Sequence, residues 1–261
     1  MGAFGQVIPV IGTLNGFLGE VSRTGGGDPF ISTRLANVAN AANINFGDVV
    51  VLLPDTAGGT VKQYADWVAN PAGFAITAAT ASSTTVTPVA AAMAQMSVGM
   101  AISGPGIPAG TFITAVGATT ITISKAATTT NGAAALFVSF VYGIAVREVK
   151  TMLTYNPTAG GTSGSLIGSY TPGSYVGVLL RGSIVVACNV GTPFAGGQAF
   201  LRSIFNGGIP AGVVGGLEAN IDGTNTQALN AVNGVADAYW KNGAIDANKL
   251  SELTFLSRMA P

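Results

Sequence analysis

No charged side chain occurs from Trp67 to Ser124 in this chain of 261 residues, and the whole chain holds no histidine. A charge-free run of that length suits either a membrane span or a β-structure with a neutral, hydroxyl-rich outer face. The membrane reading fails on the least polar part, residues 90–110. Ser97, Gly99, Ser103, Gly104, Pro105, Gly106 and Pro108 interrupt it, so no apolar run reaches the roughly 18–20 residues of a spanning helix. What remains is alternation. TFITAV at 111–116 and TTITIS at 119–124 put threonine on one face and Phe112, Ile121 and Ile123 on the other, with Gly117-Ala118 as the turn between two strands.

The same texture runs through the rest of the chain. Short β-branched and aromatic runs are separated by 37 glycines and 12 prolines, while sustained 3.6-residue periodicity is nearly missing. The expected fold is all-β, a main β-barrel or β-sandwich with a smaller inserted β module. Strands are expected at 6–11, 48–53, 72–77, 84–89, 111–116, 119–124, 135–141, 175–180, 183–189, 199–204, 213–218 and 252–257. One helix is expected at 32–42, with Ser32 as its N-cap. Residues 75–138 contain a single charge, Lys125, and read as the inserted Thr/Ser-rich module. Residues 1–74 and 139–261 carry ordinary charge and read as one discontinuous domain, with 156–165 as a flexible linker. The tetrapeptide Ile-Pro-Ala-Gly occurs at 107–110 and 209–212, each time before an expected strand, which marks a recurrent turn rather than a duplicated domain.

Most catalytic chemistry lacks its residues here. A nucleophile–histidine triad needs a base that is absent, and zinc needs clustered Cys and His, whereas Cys188 is the only cysteine. Cys188 lies in the apolar run GSIVVACN and reads as a small buried strand residue. A lone cysteine makes no intrachain disulfide, consistent with cytoplasmic synthesis. The glycine clusters at 25–27 and 160–164 lack the Gly-Lys-Ser/Thr ending of a phosphate loop. Glu218 and Asp222, with Asn220 and Asn225, could form a calcium loop or an acid pair; their spacing is not that of an EF-hand, and Asp222-Gly223 reads as a turn. Asp246-Ala-Asn248 reads as a turn into the last strand.

No enzyme, no metal and no cofactor are therefore expected. Eleven basic and eleven acidic residues cancel, so no net field draws the chain to nucleic acid or an anionic membrane, and Arg147 to Lys150, the densest basic spot, reads as a solvated strand edge. The opening MGAFGQ lacks the basic region of a secretory signal, and carries Gln6 where myristoylation requires Ser or Thr. Only 8% of residues are charged, against about 25% in typical soluble domains, which leaves a large neutral surface suited to burial against partners.

Several blocks point to a family. YVGVLLRGSIVV at 175–186, GGQAFLR at 196–202, IPAGVVGGLEA at 209–219 with Asp222-Gly223, NGAIDANKLSELTFL at 242–256 and the opening FGQVIPV at 4–10 occur in an order that resembles the structural cement, or capsid decoration, proteins of tailed bacteriophages. Residues 96–130 resemble a Thr-rich β module of phage tail and virion surface proteins, and their interruption of the cement pattern departs from compact family members. The resemblance implies a non-catalytic protein on the outer surface of an icosahedral head, partnered by the major capsid protein and by further copies of itself as a dimer or trimer. Expected interface residues are Phe4, Gln6, Val7, Ile8, Pro9 and Val10, with residues 4–11 adding a strand to a neighbouring subunit, and the aromatic pair Tyr239 and Trp240. The alternative is a head-fibre or receptor-binding adhesin whose inserted module binds a host glycan, with Tyr239 and Trp240 stacking on the sugar.

Overall fold

The computed structural model describes residues 18–21, 29–53, 59–147, 168–230, 236–243, 245 and 249–257. Of these, 47% are in strands and 7% in helices, so the fold is all-β, as the alternating pattern predicts. The expected strand at 6–11, the linker at 156–165, residues 148–150 of the basic spot, the glycines at 25–27 and the turn at 246–248 lie outside the described residues.

Two closed rings share one long strand. The first joins β1 (Phe30–Ala36), β3 (Val49–Leu53), β4 (Thr60–Gln63), β10 (Asn131–Ala145) and β12 (Tyr175–Ala187) in the order β12-β1-β4-β3-β10, and β10 pairs back onto β12. The second, a closed six-strand barrel, joins β10 to β5 (Phe74–Thr80), β6 (Thr85–Pro88), β9 (Ile121–Ile123), β8 (Thr111–Val116) and β7 (Ala101–Ser103), and β7 returns to β10. Closing both rings removes the free edges that would otherwise template aggregation.

Sequence alternation explains what fills each ring. Ile76, Ala78, Val86, Ile102, Ile113, Ile121, Ile123, Ala134, Leu136 and Val138 project into the six-strand barrel, with Met96 and Met100 packed among them, while the intervening threonines face out. The first ring encloses Val50, Val61, Tyr142, Val176, Val178 and Leu180. Its β3, VVVLL, lacks polar alternation because both faces are covered: Val49, Val51 and Leu53 pack outward into a third core with Trp67, Leu253 and Trp240. Phe112 and Ala101 point out of the six-strand barrel into this third core and so tie the barrel to the rest; Ile113, not Phe112, shares the inner face with Ile121 and Ile123, contrary to the face expected for Phe112.

β10 changes ring at a bulge between Val141 and Gly143. Glycine is required there, since any Cβ at 143 would overlap the Leu179 carbonyl of β12. Outside the rings, β17 (Leu250–Leu256) extends β12, and β16 (Asp237–Trp240) extends β17. A small sheet of β14 (Leu217–Glu218), β13 (Phe200–Arg202) and β15 (Thr226–Ala228) lies against the third core, and β2 (Ile44–Asn45) pairs with β11 (Ser169–Tyr170). Helix is confined to α1 (Tyr64–Ala69), α2 (Ala90–Met93) and a 3-10 turn, and among the described residues no helix is long and apolar enough to cross a membrane.

The expected helix at 32–42 is overturned, because its first half is strand β1. Ser32, Thr33 and Arg34 pair antiparallel with Val178, Gly177 and Val176, and Ser32 accepts a hydrogen bond from the Tyr142 hydroxyl instead of capping a helix. Ring closure supplies partners that local propensity does not foresee. The separate strands expected at 175–180 and 183–189 are one strand, kinked at Gly182 with φ +134°. Of the strand expected at 213–218, only Leu217–Glu218 is extended; Val213 to Gly216 form a turn closed by the Gly216 N–H donating to the Val213 carbonyl.

Candidate functional site

The densest polar constellation is built on the small sheet. Pairing of Phe200 with Glu218 and of Arg202 with Thr226 sets the Arg202 guanidinium beside the Glu218 carboxylate, and both side chains are fully buried. Nε and Nη2 grip the two Glu218 oxygens as a fork, the second at 2.8 Å. Nη1 donates to Asp222 Oδ2 at 2.8 Å and to the Ile204 carbonyl at 3.2 Å. The Asn206 amide donates to both Asp222 oxygens, at 3.0 and 3.2 Å, and Asn225 donates at 3.3 Å. Hydrogen bonds from Asn206 and then Arg202 hold the Asp222 carboxyl below the usual carboxylate range, while the Glu218 bond raises Arg202 further.

Both carboxylates are thus committed to one cation. The arrangement is a lock in which one guanidinium holds oxygens of both carboxylates. The dipeptide Asp222-Gly223 does form a turn, with the Asn225 N–H donating to the Asp222 carbonyl. The two Ile-Pro-Ala-Gly turns end on this same place. Gly212 lies on the Arg202 guanidinium and Gly110 on the Ser203 side chain, each so close that a Cβ would overlap. Ser203 also accepts from the Tyr64 hydroxyl at 3.2 Å, so the six-strand barrel, α1 and the small sheet meet here.

Around the lock, the loops carry apolar tips into solvent. Phe205 precedes Asn206 and is 60% exposed, Ile221 precedes Asp222 and is 67% exposed, and Val213 follows Gly212 and is 58% exposed. A second exposed group stands at β16. Tyr239 faces outward, and Gln198, which bridges to it, lies near Phe194, whose carbonyl accepts from the Gly197 N–H. Trp240 points the opposite way and is 1% exposed in the third core, so consecutive aromatics on one strand do not form a joint platform. Phe4, Gln6, Val7, Ile8, Pro9 and Val10 lie outside the described residues.

Other ionisable groups are also displaced from their ordinary values, Asp48, Lys125 and Cys188 among them. Asp48 lines a pocket of about 400 Å³ with Asn45, Gln63, Asn189, Gly215 and Leu217. Burial pushes its carboxyl up to about 6, against hydrogen bonds from the Asn45 N–H at 2.7 Å and the Gln63 amide at 2.6 Å. Lys125 donates to the Ala109 carbonyl at 2.8 Å, and burial brings its ammonium down to about 8. Cys188 is 1% exposed, with its thiol pushed up to about 11 chiefly by burial. Among the described residues, no group of three or more His, Cys, Asp or Glu side chains is placed to hold a metal ion.

The sequence reading weighs Glu218 and Asp222 as ligands, as an acid pair or, at Asp222-Gly223, as a turn, and overlooks Arg202 as their partner. The signal was present: an arginine at the end of the apolar strand GGQAFLR requires buried carboxylates to answer it. No protein-family model matches the chain, and no curated protein sequence matches it.

Proposed function

We propose that this chain is a structural virion protein that binds the outer surface of an icosahedral phage head and cements neighbouring capsomers, stabilising the expanded shell. The observation that carries the reading is the set of exposed apolar tips, Phe205, Val213 and Ile221, held around the buried Arg202 lock. Interface centres are rich in aromatic and apolar side chains and poor in charge. Tips on locked loops lose little freedom on docking. The partners in this reading are the major capsid protein and other copies of the chain. In this reading residues 1–74 and 139–261 are the capsid-binding part, residues 75–138 are an outgrowth, and residues 4–11, outside the described residues, are the segment proposed to add to a neighbour. Many weak contacts, each bridging two coat subunits, become collectively strong, and they stabilise the expanded lattice only if they prefer it to the precursor lattice.

A glycan-binding adhesin is the second reading, favoured by the exposed aromatics Phe194 and Tyr239, which could stack on a sugar. Co-sedimentation separates the two. Purified protein mixed with emptied expanded heads, precursor heads or host cells is expected to pellet with expanded heads. Pelleting with cells alone would replace the cement reading with the adhesin.

A further inference from the structure

We propose that Asn206 is a self-modification site: attack by its own backbone converts it to aspartate or isoaspartate, and the product opens the Arg202–Asp222 lock. In the sequence Asn206-Gly207-Gly208, the side chain curls back along the chain, with the Gly208 N–H donating to Asn206 Oδ1 at 3.0 Å. That bond keeps the side-chain carbonyl beside the following peptide and stabilises negative charge on Oδ1. The backbone nitrogen of Gly207, deprotonated by base from solvent, attacks Asn206 Cγ. The C–Nδ2 bond breaks, the nitrogen takes a proton from water and leaves as ammonia, and a five-membered imide remains. Water then opens the imide at either carbonyl, so the net change is amide plus water to carboxylate plus ammonium. Gly207 presents no side chain to hinder the attack, and a Cβ there would meet nothing within 4 Å.

Other Asn-Gly pairs calibrate the site. Asn131-Gly132 has the same curl, with the Ala133 N–H donating to Asn131 Oδ1 at 2.9 Å, and Gly132 also has open space around it. Asn242-Gly243 differs, because Asn242 Oδ1 is turned to Ser251 Oγ and the Glu252 N–H on β17. Conversion at 131 places a charge at an exposed strand start, where no carboxylate bonds to Asn131 among the described residues. Conversion at 206 replaces an amide that donates to both oxygens of Asp222 with a carboxylate facing them. Two carboxylates at that distance repel, and Arg202 is already shared with Glu218.

The test ages the purified chain in mildly alkaline buffer and follows, by peptide mass mapping, the mass gained when NH2 is exchanged for OH at each asparagine. Among these three the expected order is Asn131 first, Asn206 second because Asp222 holds its leaving nitrogen, and Asn242 last. Gly207→Ala should block conversion at 206 without unfolding, since φ at 207 is not in the left-handed region and the methyl has room. Asn206→Asp should lower Tm by at least about 2–4 °C, and Asn131→Asp should leave it unchanged. Asn206 converting no faster than Asn242 overturns the site. An Asn206→Asp variant as stable as the unmodified chain overturns the claim that conversion opens the lock.

Discussion

An arginine at the end of an apolar strand needs its charge answered, and Arg202 is answered by Glu218 as a fork and by Asp222 at its outer nitrogen. Removing one partner leaves an uncompensated buried charge, so Arg202→Met is expected to cost about 3–5 kcal/mol in chemical denaturation. Replacing both, as Arg202→Met with Glu218→Leu, should recover most of that loss, because the two fully buried charges are gone and the Asp222 carboxylate, which is partly exposed, keeps its bonds from Asn206 and Asn225. Asp48 makes an opposite demand. Its carboxyl is raised to about 6 from 3.8, so the folded chain holds its proton more tightly than the unfolded chain does. The associated stability is full below about pH 4 and is lost as pH rises through about 6, with a loss of about 2 kcal/mol after allowance for partial exposure. Thermal unfolding between pH 4 and 8 should show that decline, and Asp48→Asn should flatten it and raise stability at pH 8. An unchanged slope in the variant would mean that another group titrates.

Elements were legible in the sequence wherever one face was buried and the other wet. TTITIS alternates because β9 lines the six-strand barrel with Ile121 and Ile123 while Thr122 faces solvent. β1 was not legible, since its pattern FISTRLA has only Ala36 fully buried and its identity as a strand comes from distant β12 and β4. β12 read as two strands because Gly182 interrupts the apolar run, although ladder pairing to β17 continues through it from Arg181 to Ala187. The site was half legible. The Asp222-Gly223 turn followed from local chemistry, whereas the Arg202 lock depends on pairing of β13 with β14, and which of Tyr239 and Trp240 faces solvent depends on register with β17. Where β10 passes from one ring to the other, Gly143→Ala should force the Leu179 carbonyl aside and weaken the β10–β12 closure. Hydrogen exchange in the variant is expected to accelerate at Val146, whose N–H bonds the Gly177 carbonyl, before it does so in β8 and β9. Equal acceleration everywhere would show that the two rings unfold as one unit.

For the whole molecule, neutrality and exposed apolar tips lead to one physical expectation about attachment. The chain carries eleven positive and eleven negative charges, and in the described residues the largest polar cluster is consumed internally by Arg202, Glu218 and Asp222. Docking through Phe205, Val213 and Ile221 would remove apolar surface from water, a force that salt does not screen and that excluded salts strengthen. The most direct measurement is a titration of emptied expanded heads with the protein in low and in high sodium chloride, reading occupancy by quantitative sedimentation. The account predicts the same apparent affinity, or a tighter one, as the Debye length falls from about 10 Å at 0.1 M to about 3 Å at 1 M. A fall of orders of magnitude over that range would contradict it and place the binding in charged contacts.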